Sequence, residues 1–264
     1  MKPAPFDKYE LYVRSVQDPL QTLIFLDEVY RKAFRQEPLQ LCEDFGGTFA
    51  LSCTWVERSP RRKAFAVDLD PTPLHYGIQN FARWMTEEQR SRLRVFEDDV
   101  RNSALPKSDI IAALNFSYFG FKQRCDLREY FKNCLRRLNK NGMLVLDAFG
   151  GPDTEGPSVK QAAFPGFTYF WEQTSFDPRT REAEFYIHYA RDGEKKRTKV
   201  FHYHWRMWSL PELSDLMVEV GFALPEIYWQ RLAPTDGKAS RVYRKPTADD
   251  LTGWLVYLVV RKGK

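Results

Sequence analysis

Apolar positions along the first 150 residues fall alternately into short unbroken runs and into stripes at three- and four-residue spacing. Residues 20–34 carry Leu23, Leu26, Val29, Tyr30 and Ala33 on one helical stripe. Leu39, Leu41 and Cys42 open a strand that closes on Glu43 and Asp44. Phe45-Gly46-Gly47-Thr48 then turns the chain into a segment bearing Phe49, Ala50, Leu51, Cys53 and Trp55. The run AFAVDLD predicts a second strand ending at Asp68, and residues 93–102 a third ending at Asp98 and Asp99. Residues 109–116 read as a buried parallel strand that opens into Asn115, Phe116, Ser117 and Tyr118. A helix over 126–138, with Leu127, Tyr130, Phe131, Cys134, Leu135 and Leu138 inward and Gly142 as a left-handed cap, leads to a strand at 143–147. Strands alternating with helices, with acids or amides at the strand ends, predict an α/β doubly wound sheet with a crevice along its carboxyl edge.

The period changes after residue 150. Segments 167–173, 184–189 and 199–208 alternate with period two and are joined by turns at Asp177-Pro178 and Asp192-Gly193, which predicts a three-stranded antiparallel meander. Ser209, Pro211 and Glu212 open a helix with a capping-box pattern that stops at Gly221. Strands at 226–229 and 254–260 complete the chain. The expected parts are a leader and helix (1–36), a nucleoside-binding core (37–150), an antiparallel insertion (151–208) and the rest of the core sheet (209–264).

Composition narrows the class. A 43% hydrophobic content can build a core, and no apolar stretch approaches the roughly 20 residues a membrane-spanning helix needs. Residues 1–3 lead into no hydrophobic signal region, so a cytoplasmic protein is expected. Cys42, Cys53, Cys125 and Cys134 lack metal-type spacing, and His75, His188, His202 and His204 are scattered, so no metal is expected. The net charge of +5 comes from interleaved signs, and the tight basic clusters at 58–63 and 194–197 read as solvated loops. No nucleic-acid partner is expected.

The glycine turn carries the chemistry. Gly46 and Gly47 let the backbone approach a ligand, and Asp68, 21 residues after Gly47, stands where one carboxylate meets both hydroxyls of a nucleoside ribose. The turn lacks the third glycine of a dinucleotide site. An acid ahead of it suits a cationic end better than a pyrophosphate. S-adenosylmethionine has an ammonium, a sulfonium and no phosphate.

On these residues the chain resembles the class I S-adenosylmethionine-dependent methyltransferases, whose first motif is commonly Asp/Glu-x-Gly-x-Gly-x-Gly. Glu43 falls on the acid, Gly47 on the middle glycine and Thr48 on the residue after it, while Phe45 and Phe49 stand where glycines are usual. The aromatic insertion and the Leu-Pro-Glu-Leu…Gly-Phe helix resemble a bacterial small-molecule-type subset, with SVQDP at 15–19, EDFGGT at 43–48 and NFSYFGF at 115–121. The resemblance implies a doubly wound seven-stranded, mostly parallel sheet with an antiparallel insertion over the active site. It implies that Glu43 or Asp44 orients the methionine ammonium and that Gly46, Gly47 and Thr48 form the turn. Asp68 and Leu69 would then meet the ribose side, and Asp98, Asp99 and Val100 the adenine. Tyr12 and Arg14 in the leader would cover the methionine end. Asn115, Tyr118, Trp171 and Tyr203 are expected around the methyl group, with His188, His204 and Arg206 reading a small-molecule N or O acceptor. A methyltransferase acting on RNA or protein, a non-catalytic methyltransferase-like protein and a nicotinamide-dependent oxidoreductase are the competing readings.

Overall fold

The computed structural model describes residues 5–232, 241–244 and 252–263. Asp7 caps the first helix, α1 (Lys8–Val16), by accepting from the N–H groups of Tyr9 and Glu10 at 3.0 Å. Asp18 caps α2 (Pro19–Phe34), where proline occupies the first turn and loses no hydrogen bond. Alternation follows, as the pattern predicts: β1 (Gln40–Asp44), α3 (Ala50–Glu57), β2 (Lys63–Asp68), α4 (Pro71–Asn80), α5 (Glu87–Ser91), β3 (Leu93–Glu97), β4 (Ser108–Ala113), α6 (Arg124–Arg137) and β5 (Leu138–Gly150). An isolated helix the length of α6 is marginal in water. Its fully buried Leu127, Tyr130, Phe131 and Cys134 supply the missing stabilisation, at about 1.5–3 kcal/mol for each large apolar side chain.

The predicted cap at Gly142 does not exist. α6 ends directly into β5, and Gly142 lies inside that strand. A Cβ there would stand 2.8 Å from the Leu138 Cβ and 3.0 Å from the Asn139 nitrogen, so this glycine serves close approach. The register with β4 shifts in the same stretch, between Ser108 and Ile110.

Beyond β5, β6 (Ser158–Phe164), β7 (Phe167–Asp177), β8 (Glu182–Arg191) and β9 (Arg197–Arg206) form a separate antiparallel sheet in the order β6-β7-β8-β9. The meander therefore has four strands. β6, with the mixed sequence SVKQAAF, gives no clean period-two signal. α7 (Leu210–Val220) carries the expected capping box between Ser209 and Glu212 and ends at Gly221, whose φ is 108°. β10 (Glu226–Leu232), β11 (Arg241–Arg244) and β12 (Trp254–Arg261) complete the main sheet.

That sheet runs β11-β10-β12-β5-β4-β1-β2-β3. The pairings among β1 to β5 are parallel and those of β10 and β12 antiparallel, so the seven expected strands are present and β11 adds an eighth at the edge. Alternate residues feed two cores. Leu41, Ile110, Ala112, Met143 and Val145 pack with α2, α3 and α4, whereas Cys42, Ile111, Leu144 and Leu146 pack with α6 and α7. A third, smaller cluster joins Leu11 of α1 to Phe167, Ile187 and Tyr189 of the insertion.

Candidate active site

The β1–α3 turn takes left-handed backbone at alternate residues: Phe45 (φ 56°), Gly47 (φ 53°) and Phe49 (φ 47°). Two phenylalanines thus adopt the conformation that glycine would take without strain. Burial explains how. Phe49 is fully buried against Gly77, where a Cβ would stand 2.5 Å from its ring, and Phe45 packs edge-on to Phe121 and Tyr130. The turn is pinned by Gly46 N–H to Val67 O at 2.8 Å and by Gly47 N–H to Asp68 Oδ2 at 2.7 Å. Asp68 Oδ1 accepts from Asp70 N–H at 2.9 Å, and burial raises the Asp68 pKa. The end of β3 abuts the same point, with Asp98 N–H donating to Asp68 O at 3.0 Å.

Successive side chains of a strand point to opposite faces, so Glu43 and Asp44 cannot share a role. Glu43 lines a cavity of about 200 Å³ and accepts from Ser52 N–H at 2.8 Å and Ser52 Oγ at 2.6 Å. Burial, with a smaller contribution from the Asp68 charge, pushes its pKa up to about 7. Asp44 lies on the other side. It forms a fully buried two-point ion pair with Arg137 (3.0 and 2.7 Å) and accepts from the Tyr130 hydroxyl at 3.1 Å. That corrects its expected ligand role.

Asn115 and Phe116 are both left-handed (φ 57° and 61°) because the buried Asp147 carboxylate accepts both of their N–H groups at 2.8 Å. Sequence reading places Asp147 at a strand end and assigns it no role. Tyr118 is a second correction. It is fully buried and its hydroxyl donates to Asp147 O at 2.9 Å, so it braces the loop from behind.

Beside the Glu43 cavity lies a larger one of about 660 Å³, and the two share Val16, Asn115, Phe116, Tyr169 and Leu255. The large cavity is walled by Tyr12, Trp171, Tyr203 and Trp205 on the insertion side and by Trp229 and Trp254 from β10 and the start of β12. The two last-named tryptophans carry no local signal, since their strands come at the end of the chain.

The insertion obeys one parity. Trp171 pairs across the sheet with Ile187, and Ile187 with Phe201, so odd-numbered residues of β7, β8 and β9 face the cavity. Even-numbered ones face away, which removes three expected substrate readers. His188 is bound to Glu172 Oε2 at 2.7 Å and accepts from Lys199 N–H at 2.8 Å. His204 pairs with Glu182 at 2.8 Å beside Lys122. Arg206 stacks on Trp208 and bonds Glu212 at 2.9 Å.

The leader crosses the whole site. Tyr9 packs tilted against Tyr76 with ring centroids 5.0 Å apart, near enough to Asp70 and Asp68 that their charges add to burial in raising its pKa. Tyr12 lines the large cavity and hydrogen-bonds Tyr203, and Ser15, Gln17 and Asp18 line the small one. Arg14 points elsewhere, donating to Pro165 O at 2.6 Å and stacking on Phe167, so it does not cover the site. Of the expected adenine side, Leu69 is 70% exposed, and Asp98 accepts from Asn102 at 2.7 Å. Asp99 is gripped by Arg101 at 2.6 Å, which lowers its pKa. Val100 is packed into the core, 4% exposed. Thr48 is buried, and its hydroxyl has no partner among the described residues. Among the described residues no cluster of His, Cys, Asp or Glu could hold a metal, and no helix is long and apolar enough to cross a membrane.

No family profile matches the chain, and no curated protein matches it in sequence. Solved structures do match over nearly its full length. An S-adenosylmethionine-dependent methyltransferase from Clostridium acetobutylicum superposes with a TM-score of 0.72 at 16% identity, over 97% of this chain and 98% of that one. The CcbJ methyltransferase from Streptomyces caelestis gives 0.70 at 12% identity, over 93% and 95%. The sugar N-methyltransferase KedS8 from a Streptoalloteichus species gives 0.64 at 17% identity, over 100% and 96%. The chain has the Rossmann-like methyltransferase fold, insertion included.

Proposed function

We propose that this protein transfers a methyl group from S-adenosylmethionine to an N or O atom of a small molecule. The observation that carries the reading is the pair of joined cavities at the carboxyl edge of the sheet. One holds Glu43, with Asp18 and Asp147 in the same lining, between the leader and the strand ends; the other is aromatic, and they meet at Asn115 and Phe116. The residues fit the cofactor. Glu43 keeps one carboxyl oxygen beyond its Ser52 bonds for an ammonium, Asp68 stands at the turn for two ribose hydroxyls, and exposed Leu69 offers an apolar wall beside them.

When bound, S-adenosylmethionine supplies a methyl group already activated by its positive sulfur. The chain then has to hold the acceptor in line and keep water out. Tyr12 and Tyr203 do both, because burial raises their pKa values and leaves them neutral hydrogen-bond donors on an aromatic wall. Neither can act as a base. An amine that is neutral when bound needs none during transfer, which favours nitrogen over a hydroxyl acceptor.

Titration calorimetry tests the reading. S-adenosylhomocysteine should bind in the micromolar range, and NAD and NADP should give no heat. Nicotinamide dinucleotide binding without adenosyl binding would overturn it in favour of an oxidoreductase.

A further inference from the structure

β6 is exposed along its whole middle, on both faces, and it brings a charge to the rim of the large cavity. Lys160 pairs directly with Trp171, and residues opposite one another in an antiparallel pair share a face, so Lys160 stands with the aromatic wall. Its neighbour Val159 pairs with Glu172, points to the other face and is 60% exposed. Lys160 is exposed as well, so it stands at the open rim of the cavity.

The charge stands nearly alone. Among the described residues the exposed Lys160 is the one charged side chain lining the large cavity. No carboxylate among the described residues faces the same space, since Asp147 and Glu43 line only the smaller cavity. The aromatic faces would attract a cation, but a cationic acceptor would meet the Lys160 ammonium and find no counter-ion. The walls are aromatic: Trp171 lies tilted at 37° to both Tyr203 and Trp205, with centroids 6.0 Å away. A cavity of about 660 Å³ takes a body of one or two fused rings with a substituent.

We infer that the acceptor is a flat, unsaturated molecule carrying an anionic group, a carboxylate or a phosphate, that pairs with Lys160 while its nucleophilic atom reaches Asn115. This rests on the methyltransferase reading of the site. The test is calorimetry on protein saturated with S-adenosylhomocysteine, titrated with naphthoate, naphthyl phosphate, naphthamide and naphthylmethylammonium. At least one anion should bind about tenfold or more tightly than the isosteric amide, and the ammonium weakest. Whichever anion binds better identifies the group. Lys160→Met should erase the preference, Lys160→Arg should keep it, and neither should change S-adenosylhomocysteine binding. Equal affinities for acid and amide, a preference that survives Lys160→Met, tightest binding of the ammonium, or no binding by any probe would each overturn the inference. If S-adenosylhomocysteine itself fails to bind, the methyltransferase reading falls. The probe series on the protein alone would still report the cavity's charge preference.

Discussion

Glu43 is held by two donors from one serine and is otherwise largely buried at the edge of its cavity, and that combination sets how it responds to pH. Its folded pKa of about 7 lies above the ordinary glutamate value of 4.5. The folded protein therefore binds this proton more tightly than the unfolded chain does. The Glu43 contribution to stability is unimpaired below pH 4.5 and falls as pH rises to about 7, by roughly 3 kcal/mol. Glu43→Gln should accordingly gain stability over the parent protein at pH 8 but not at pH 4.5, as urea midpoints would report. Ligand binding should run the opposite way. An ammonium is recognised only by the ionised carboxyl, so S-adenosylhomocysteine affinity should rise about tenfold from pH 5.5 to 6.5, where the ligand's own amine stays protonated. A flat profile in that window would remove Glu43 from the methionine end. Asp68 makes a separate contribution. Two charge-assisted bonds to a ribose are worth about 1.5–3 kcal/mol each, so Asp68→Ala should weaken S-adenosylhomocysteine by about a hundredfold or more. It should also cost some stability, because Gly47 N–H loses its acceptor. An unchanged dissociation constant would place the ribose elsewhere.

At the scale of elements, the β1–α3 turn sets strain against burial. A left-handed non-glycine residue costs about 1–2 kcal/mol, whereas removing a fully buried phenylalanine ring costs about 3–5 kcal/mol. Burial wins, so Phe49→Gly should destabilise the fold by about 2–3 kcal/mol although it restores the usual glycine. Urea unfolding that shows a gain in stability would refute this. The turn was legible in sequence because glycines and a following acid mark it; that phenylalanines could adopt its geometry was not, since nothing local reveals that Gly77 opens a slot for the ring. The alternating helices and strands were legible for a similar reason, each being dictated by its own periodicity. The direction in which β7, β8 and β9 face was not. Strands with aromatics on both parities give no phase, and the phase comes from the pairing of Trp171 with Ile187 and of Ile187 with Phe201. Two unphased strands were enough to place His188, His204 and Arg206 at the site when they belong to its outer face. Asp44 and Glu43 differ in the same way, since only the tertiary position of Arg137 decides which of two adjacent acids becomes a buried ion pair.

At the scale of the whole molecule, the site is assembled from three remote parts of the chain, and each can be disturbed alone. The core strands carry Glu43, Asp68 and Asn115; the leader spans all of them from Tyr9 to Asp18; the insertion supplies Trp171 and Tyr203 as a wall over the larger cavity. Among the described residues the insertion reaches the lining of the proposed cofactor half through Tyr169 alone, which lines both cavities. Binding and transfer should therefore separate. Trp171→Ala, which opens the wall beside Tyr203 and Phe149, should lower methyl transfer to the true acceptor by a hundredfold or more through lost positioning, with S-adenosylhomocysteine affinity within about threefold of the parent. Asp68→Ala should weaken both together, because the cofactor is lost first. The pair of variants, measured by calorimetry and by mass-spectrometric detection of methylated product, checks the division directly. If Trp171→Ala weakens the cofactor as much as Asp68→Ala does, the insertion is part of the cofactor site, and the acceptor has to enter from the leader side, between Tyr9 and Tyr76.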